Sequence, residues 1–212
     1  MKKIIVPLFI CFIALQLTSC KKEAKKEATE TNVEEVKEVE KQAPFSLKNA
    51  ENEINWTAYK TTEKVPVKGQ FQKVEITKGG DGATAKEAIN NAEFSVPVSS
   101  IFTKDTSRDF KIKKFFFGIM DKTELLSGKL VLENDSIGYS DITMNGVTKK
   151  LPFTYSIKDK VFNMNATMKI TDWKAEKALA SLNEACKELH KGADGVSKTW
   201  DEVAIQITST FK

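Results

Sequence analysis

From Phe45 to the C-terminus apolar and polar residues alternate with a dominant period of two, the pattern of strands that bury one face. Between Val161 and Ile170 the even positions are Phe162, Met164, Ala166, Met168 and Ile170, while the odd ones are Asn163, Asn165, Thr167 and Lys169. The last segment repeats this, with Val203, Ile205, Ile207 and Phe211 on one face and Gln206, Thr208 and Thr210 on the other. Asn145-Gly146 is the favoured dipeptide of a two-residue type I′ hairpin, because both of its residues tolerate positive φ. A turn there pairs Met144 with Val147 and places Ile142, Met144, Val147, Leu151, Phe153 and Tyr155 on a common face. Turn chemistry and hydrophobic pattern therefore set the same register.

Five further segments read as strands: 54–60, 65–77, 92–99, 122–133 and 136–144. In 65–77 the apolar phase slips between Phe71 and Val74, which predicts a bulge or bend. With the hairpin partner 147–157, the segment from Val161 and the C-terminal one, the count reaches eight. Eight antiparallel strands can close into a barrel whose interior holds side chains or one small ligand. Pro97 and Pro152 fall on the outward phase, where each removes a ladder donor and weakens closure. Two helices interrupt the strands. Thr106-Ser107-Arg108-Asp109 has capping-box spacing and opens a short helix toward Phe115-Phe116-Phe117. A second is predicted from a cap at Asp172 to about His190, ending at Gly192, with Leu179, Leu182, Cys186 and Leu189 as its apolar stripe. The expected class is all-β with short helices, one of them added before the last strand.

The N-terminus sets a compartment. Met1-Lys2-Lys3 followed by the apolar run from Ile4 to Leu17 has the form of a secretory signal and is too short for a comfortable membrane span. Leu17-Thr18-Ser19-Cys20 resembles a bacterial lipobox, which implies cleavage before Cys20, acylation of its sulfur and new amino group, and attachment to a membrane of the bacterial cell envelope. Residues 1–19 then form the signal peptide, and 20–44 a lipidated cysteine and charged flexible tether, too poor in apolar residues to fold. Residues 45–212 form the domain. Of three cysteines, Cys11 leaves with the signal and Cys20 becomes a thioether, so Cys186 stands alone and no intrachain disulfide is possible. The net charge of +4 falls by two when Lys2 and Lys3 are removed, too small and too evenly mixed for a nucleic-acid binder.

Catalytic signals are sparse. The single histidine, His190, stands four residues from Cys186, so the two can project together from a helix, but two ligands do not close a zinc site. Cys186 belongs to the apolar stripe as a small buried hydrophobe, and His190 is placed to meet the last helical carbonyls. Gly80-Asp81-Gly82-Ala83-Thr84-Ala85 matches a dinucleotide fingerprint, but no βαβ alternation surrounds it, and it reads as a loop. No catalytic residue, metal site or cofactor is assigned. Thirteen Phe against three Tyr and three Trp favour purely apolar aromatic surface. Periodicity alone leaves two interiors open, a lumen for a long apolar ligand and a filled core.

From Ile54 onward the chain resembles the YceI-like family of polyisoprenoid-binding proteins. The resemblance is carried by Trp56-Thr57-Ala58-Tyr59-Lys60, Gly69-Gln70-Phe71, Phe94 to Ser100, Thr106 to Asp109, Phe115-Phe116, Met144 to Lys149 and Lys198-Thr199-Trp200. It implies an eight-stranded lipocalin-like barrel with an apolar pocket for a polyprenyl or isoprenoid-quinone tail. The long segment from Asp172 to Trp200 departs from the simplest members. Inward phase nominates Trp56, Phe71, Phe94, Val96, Met144, Phe153, Met164 and Met168 as ligand-binding residues. Three functions follow: a lipid-anchored carrier or sequestering protein for an isoprenoid-type lipid, without enzymatic activity; an envelope scaffold with a filled barrel and an exposed patch around Phe115–Phe117; or a thiol or metal redox role at Cys186.

Overall fold

The computed structural model describes residues 43–212; the leader, Cys20 and the tether up to residue 42 lie outside the described residues. The strands are β1 (Phe45–Ser46), β2 (Glu51–Lys60), β3 (Val65–Phe71), β4 (Glu75–Lys78), β5 (Asp81–Gly82), β6 (Glu93–Pro97), β7 (Ile101–Phe102), β8 (Leu125–Leu132), β9 (Ile137–Met144), β10 (Val147–Lys158), β11 (Val161–Lys169) and β12 (Thr199–Thr210). The helices are α1 (Ala85–Ile89), α2 (Thr106–Phe115) and α3 (Glu176–Ala185). No helix among the described residues is long and apolar enough to cross a membrane.

Ten strands form one antiparallel sheet in the order β4-β6-β8-β9-β10-β11-β12-β2-β3-β7, while β1 and β5 pair separately. The predicted eight becomes ten because segment 65–77 divides at its phase slip into β3 and β4, and because β7 adds a short edge strand. The division has a large consequence. β3 and β4 lie toward opposite ends of the strand order, yet only residues 72–74 separate them. A chain covers at most about 3.6 Å per residue, so the sheet must curl until its ends meet. The link from β6 to β7 through a 3₁₀ turn at Val98–Ser100 makes the same demand, and Gln72 N–H donates to the Ser100 carbonyl at 3.0 Å. Among the described residues the ends are joined by chain connections rather than a continuous ladder, so the predicted closed barrel is a curled, open one.

The Asn145-Gly146 turn pairs Met144 with Val147 and adopts positive φ at both residues, 53° and 67°. It also organises what lies beyond the sheet. Asn145 Nδ2 donates to the carbonyls of Trp173 and Lys174, at 3.0 and 2.9 Å, and Asn145 Oδ1 accepts from Asp121 N–H at 2.8 Å. One turn side chain thereby ties down the segment that leads into α3 and the one that follows α2.

Both helices begin differently from their sequence signatures. The cap of α2 is Asp105, which accepts from Arg108 N–H at 3.0 Å, rather than Thr106. Asp109 turns back to accept from Thr103 N–H and Oγ1, at 2.9 and 2.6 Å, and is buried there. The predicted helix from Asp172 to His190 is a 3₁₀ turn (Ile170–Trp173), then α3, then a second 3₁₀ turn (Lys187–His190). Lys174, at φ 56°, breaks the start, and Cys186, at φ −114° and ψ 13°, breaks the end. Helical spacing stops at Cys186, so Leu189 leaves the stripe and stands 59% exposed. The Gly80–Ala85 segment, read as a loop, holds β5 and the Thr84 cap of the five-residue α1.

Candidate functional site

The inward faces of the strands build two apolar clusters. One is packed with rings: Phe153 meets Tyr155 edge to face at a centroid separation of 6.1 Å, Tyr155 meets Phe162 tilted at 5.6 Å, and Phe45 meets Phe211 at 5.4 Å. Helix α1 covers that cluster with Ala85, Ala88 and Ile89, all buried. The other lies beneath α2 and α3 and encloses a cavity of about 180 Å³. Strand residues form most of its wall, and Ile112, Phe116, Phe117, Leu179 and Leu182 close it from the helical side. Leu179 and Leu182 face it because they lie three positions apart on α3.

Seven of the eight residues nominated by phase line this cavity: Trp56, Phe71, Phe94, Val96, Met144, Met164 and Met168. Phe153 does not. It stands opposite Gly138, and a Cβ at Gly138 would fall 2.8 Å from the Phe153 ring. The ring therefore lies across the glycine and packs toward Tyr155, away from the cavity. The helical liners and Trp200 were missed, since an apolar stripe on a helix does not say which surface it will cover.

A second void of about 40 Å³ continues from the first toward the ring-packed cluster. Ile54, Phe94, Leu130, Met164 and Ile207 line both, so the two voids lie on either side of these side chains. A wider depression of about 680 Å³ lies on the outer face of the sheet, bordered by Asn55, Thr57, Thr154, Asn165, Thr167 and Gln206. Amides and hydroxyls there are mixed with Ile137, Pro152, Phe153 and Ile205, whereas the inner cavity is lined almost wholly by apolar side chains and suits hydrocarbon.

Phe116 and Phe117 are buried and meet edge to face at 5.0 Å, so the exposed patch predicted around Phe115–Phe117 is not formed. Phe115 is half-buried, with Lys114 Nζ 5.3 Å from its ring centre. Cys186 is a buried free thiol, and burial pushes its pKa up, away from the reactive thiolate. His190 is not engaged with the last helical carbonyls; Lys60 Nζ donates to the Leu189 carbonyl at 2.9 Å instead. The His190 ring turns to Thr199, with Nδ1 2.6 Å from Oγ1. Thr199 donates its only hydroxyl proton to Asn183 Oδ1 at 2.9 Å, so His190 Nδ1 carries the proton of that contact. Burial, then Lys60 and Lys111, lower the His190 pKa to about 4. Among the described residues no three His, Cys, Asp or Glu side chains converge on a metal position.

The arrangement of the described residues can enclose apolar matter. A solved structure shares the fold. A polyisoprenoid binding domain from Saccharophagus degradans, implicated in plant cell wall breakdown, superposes with a TM-score of 0.58 at 11% identity, covering 81% of this chain and 99% of that one. BcnA of Burkholderia cenocepacia gives 0.49 at 15% identity, covering 74% and 94%. The Campylobacter jejuni YceI protein gives 0.48 at 18% identity, covering 69% and 85%. No curated protein sequence matches the chain. The family model for the YceI-like domain matches residues 45–211, the whole of the curled sheet with its helical cover, and the chain accordingly belongs to the YceI-like family.

Proposed function

We propose that this protein binds an isoprenoid or similar long apolar chain in the cavity beneath α2 and α3, as a carrier or sequestering protein rather than an enzyme. The observation that carries the reading is the cavity itself, about 180 Å³ with a lining of Phe, Met, Trp and aliphatic side chains. The Saccharophagus domain of the same fold, named for polyisoprenoid binding, supports the choice of ligand. Burying hydrocarbon contributes about 0.8 kcal/mol per CH₂, so a few isoprene units offset association costs and reach micromolar affinity.

Volume sharpens the picture. A cavity of roughly 150 Å³ accepts benzene, so the space as it stands takes about one isoprene unit. A longer tail runs on into the second void once Phe94 and Met164 change rotamer, and methionine does this at low cost. The lipobox-like Leu17 to Cys20 and the tether place the domain, in this reading, on a membrane of the bacterial cell envelope, outside the cytoplasm and beside a source of such lipids. Native mass spectrometry and lipid extraction of the full chain carrying Cys20→Ser test the binding. The expected result is a co-purifying apolar lipid at one per chain; a chain that stays empty when offered polyprenols contradicts it.

A further inference from the structure

We infer that α2 is a membrane-docking element whose outward side, with Phe110 set among lysines, fits the surface of an anionic lipid bilayer. The inference concerns the outside of the helical cover and holds whatever fills the cavity. α2 carries apolar side chains on opposite sides. Ile112 lines the cavity, and Phe110, about 200° away around the helix, stands 56% exposed. Ile119, in the 3₁₀ turn Phe117–Ile119 that follows, is 49% exposed. Lys114 Nζ lies 5.4 Å from the Phe110 ring centre and 5.3 Å from that of Phe115. Charge is concentrated in the same stretch. The whole chain is nearly balanced, with 33 basic and 29 acidic residues, yet residues 104–114 hold Lys104, Arg108, Lys111, Lys113 and Lys114 against Asp105 and Asp109. Both acids are already engaged: Asp105 caps α2 and pairs with Arg108 at 3.5 Å, and Asp109 is buried against Thr103. Among the described residues none of the four lysines pairs with a carboxylate.

Lysines that meet phosphate headgroups and apolar side chains that enter the acyl boundary are the two parts of an interfacial element. Each lysine close to an anionic surface strengthens binding about fivefold. A second copy of this chain would bring the same lysines face to face, against their charge. An acidic protein would answer the lysines, but α2 is only about 15 Å long and offers little of the roughly 800 Å² per side that a stable protein interface buries. The position of α2 suits a bilayer as well. The chain enters the sheet at Phe45, which packs on Phe211 beyond the end of β12. α3, against which α2 packs, meets the start of that strand through Asn183 and Thr199. Twelve strand residues separate the two ends by about 40 Å. Residues 20–44 extend at most about 3.6 Å each, roughly 90 Å in all, long enough that an N-terminal anchor does not hold α2 off the bilayer.

The test measures co-sedimentation of the full chain carrying Cys20→Ser with vesicles of phosphatidylcholine alone and with vesicles in which about a third of it is replaced by phosphatidylglycerol. The apolar N-terminal run is common to every variant, so differences between variants report α2. The unsubstituted α2 should bind the anionic vesicles about tenfold tighter than the neutral ones, or more. Lys111→Glu, Lys113→Glu and Lys114→Glu together should abolish that preference. Lys149→Glu, Lys158→Glu and Lys160→Glu, an equal change of charge on β10 and the turn after it, should keep most of it. Phe110→Ser alters no charge and should weaken binding to the anionic vesicles about fivefold. The α2 side chains to be replaced are exposed or half-exposed, so these variants should melt close to the unsubstituted chain; if the charge-reversed one does not, Phe110→Ser alone decides. Absence of the preference, or its equal loss in the α2 and β10 sets, overturns the assignment. Unchanged binding of Phe110→Ser overturns it too, and marks an acidic protein as the occupant where soluble polyglutamate displaces the chain.

Discussion

The two apolar halves of the curled sheet are built from the same alternating strands and filled in different ways. In one, Phe153, Tyr155, Phe162 and Phe211 interlock under α1, leaving about 40 Å³ where that half meets the cavity. In the other, Met144, Met168, Phe71 and Trp56 surround about 180 Å³ under α2 and α3. Strand β11 contributes to both: Phe162 packs among rings, Met168 borders the cavity, and Met164 lies between the voids. Aromatic rings opposite small residues fill space rigidly, as with Phe153 over Gly138, whereas unbranched side chains beneath separate helices leave it adaptable. The ring-packed half is a stability element. The helix-covered half holds the larger cavity.

The sharpest way to break this contrast is to truncate both halves. Phe162→Ala should lower unfolding free energy by about 3–5 kcal/mol in chemical denaturation, since it opens space in a filled core. Met168→Ala should cost about 2 kcal/mol, the low end for such truncations, because part of its surroundings is already empty. Equal losses would erase the distinction. Gly69→Ala comes next. The new methyl meets the Trp56 indole at 2.1 Å, so a loss of about 1–3 kcal/mol is expected, together with weaker lipid uptake as the ring is driven from its place. Ala58→Leu projects into the cavity and should leave stability within about 1 kcal/mol while reducing lipid uptake at least tenfold. Unchanged uptake in a folded variant would show that ligand lies elsewhere.

The smallest effect is a pH dependence confined to the helix-covered half. In the unfolded chain a histidine titrates near 6.5, and in the fold His190 titrates at about 4. As pH falls the unfolded chain takes the proton first, so stability from neutral His190 is full above about pH 6.5 and is lost on the way down to 4. Lys60 and Lys111 act in the same direction as burial. Because the ring keeps part of its surface in solvent, the difference is expected at on the order of 2–4 °C in melting temperature. His190→Gln should remove that difference between pH 7 and 5, measured against the unsubstituted chain to cancel the carboxylates. Identical pH profiles would contradict a half-buried histidine held neutral.

The strands were legible because their signal is local. Alternation in 161–170 and the Asn145-Gly146 turn each specify a register without tertiary information, and seven inward residues chosen by phase meet at one cavity. The phase slip after Phe71 was visible too, but its meaning was not: a bend and a crossing to the other end of the sheet look alike until the pairing of β4 with β6 is known. Phe153 points inward as its phase predicts but lies outside the cavity, because phase gives a face, not a depth along the barrel. The helical wall was the least legible part. Asp105 competes with Thr106 for the cap, and Cys186 ends a helix whose stripe continues in sequence to Leu189. Such outcomes depend on neighbours distant in the chain.

In the proposed reading, ligand occupies the helix-covered half and not the ring-packed half or the outer face. Photo-crosslinking of the full chain with a diazirine-bearing polyprenol, followed by peptide mapping, tests this most directly. Adducts are expected on Met144, Met168, Leu179 and Leu182, which line the cavity, and none on Tyr155 or Phe211. Adducts confined to the outer depression, at Asn55, Asn165 or Gln206, would contradict it.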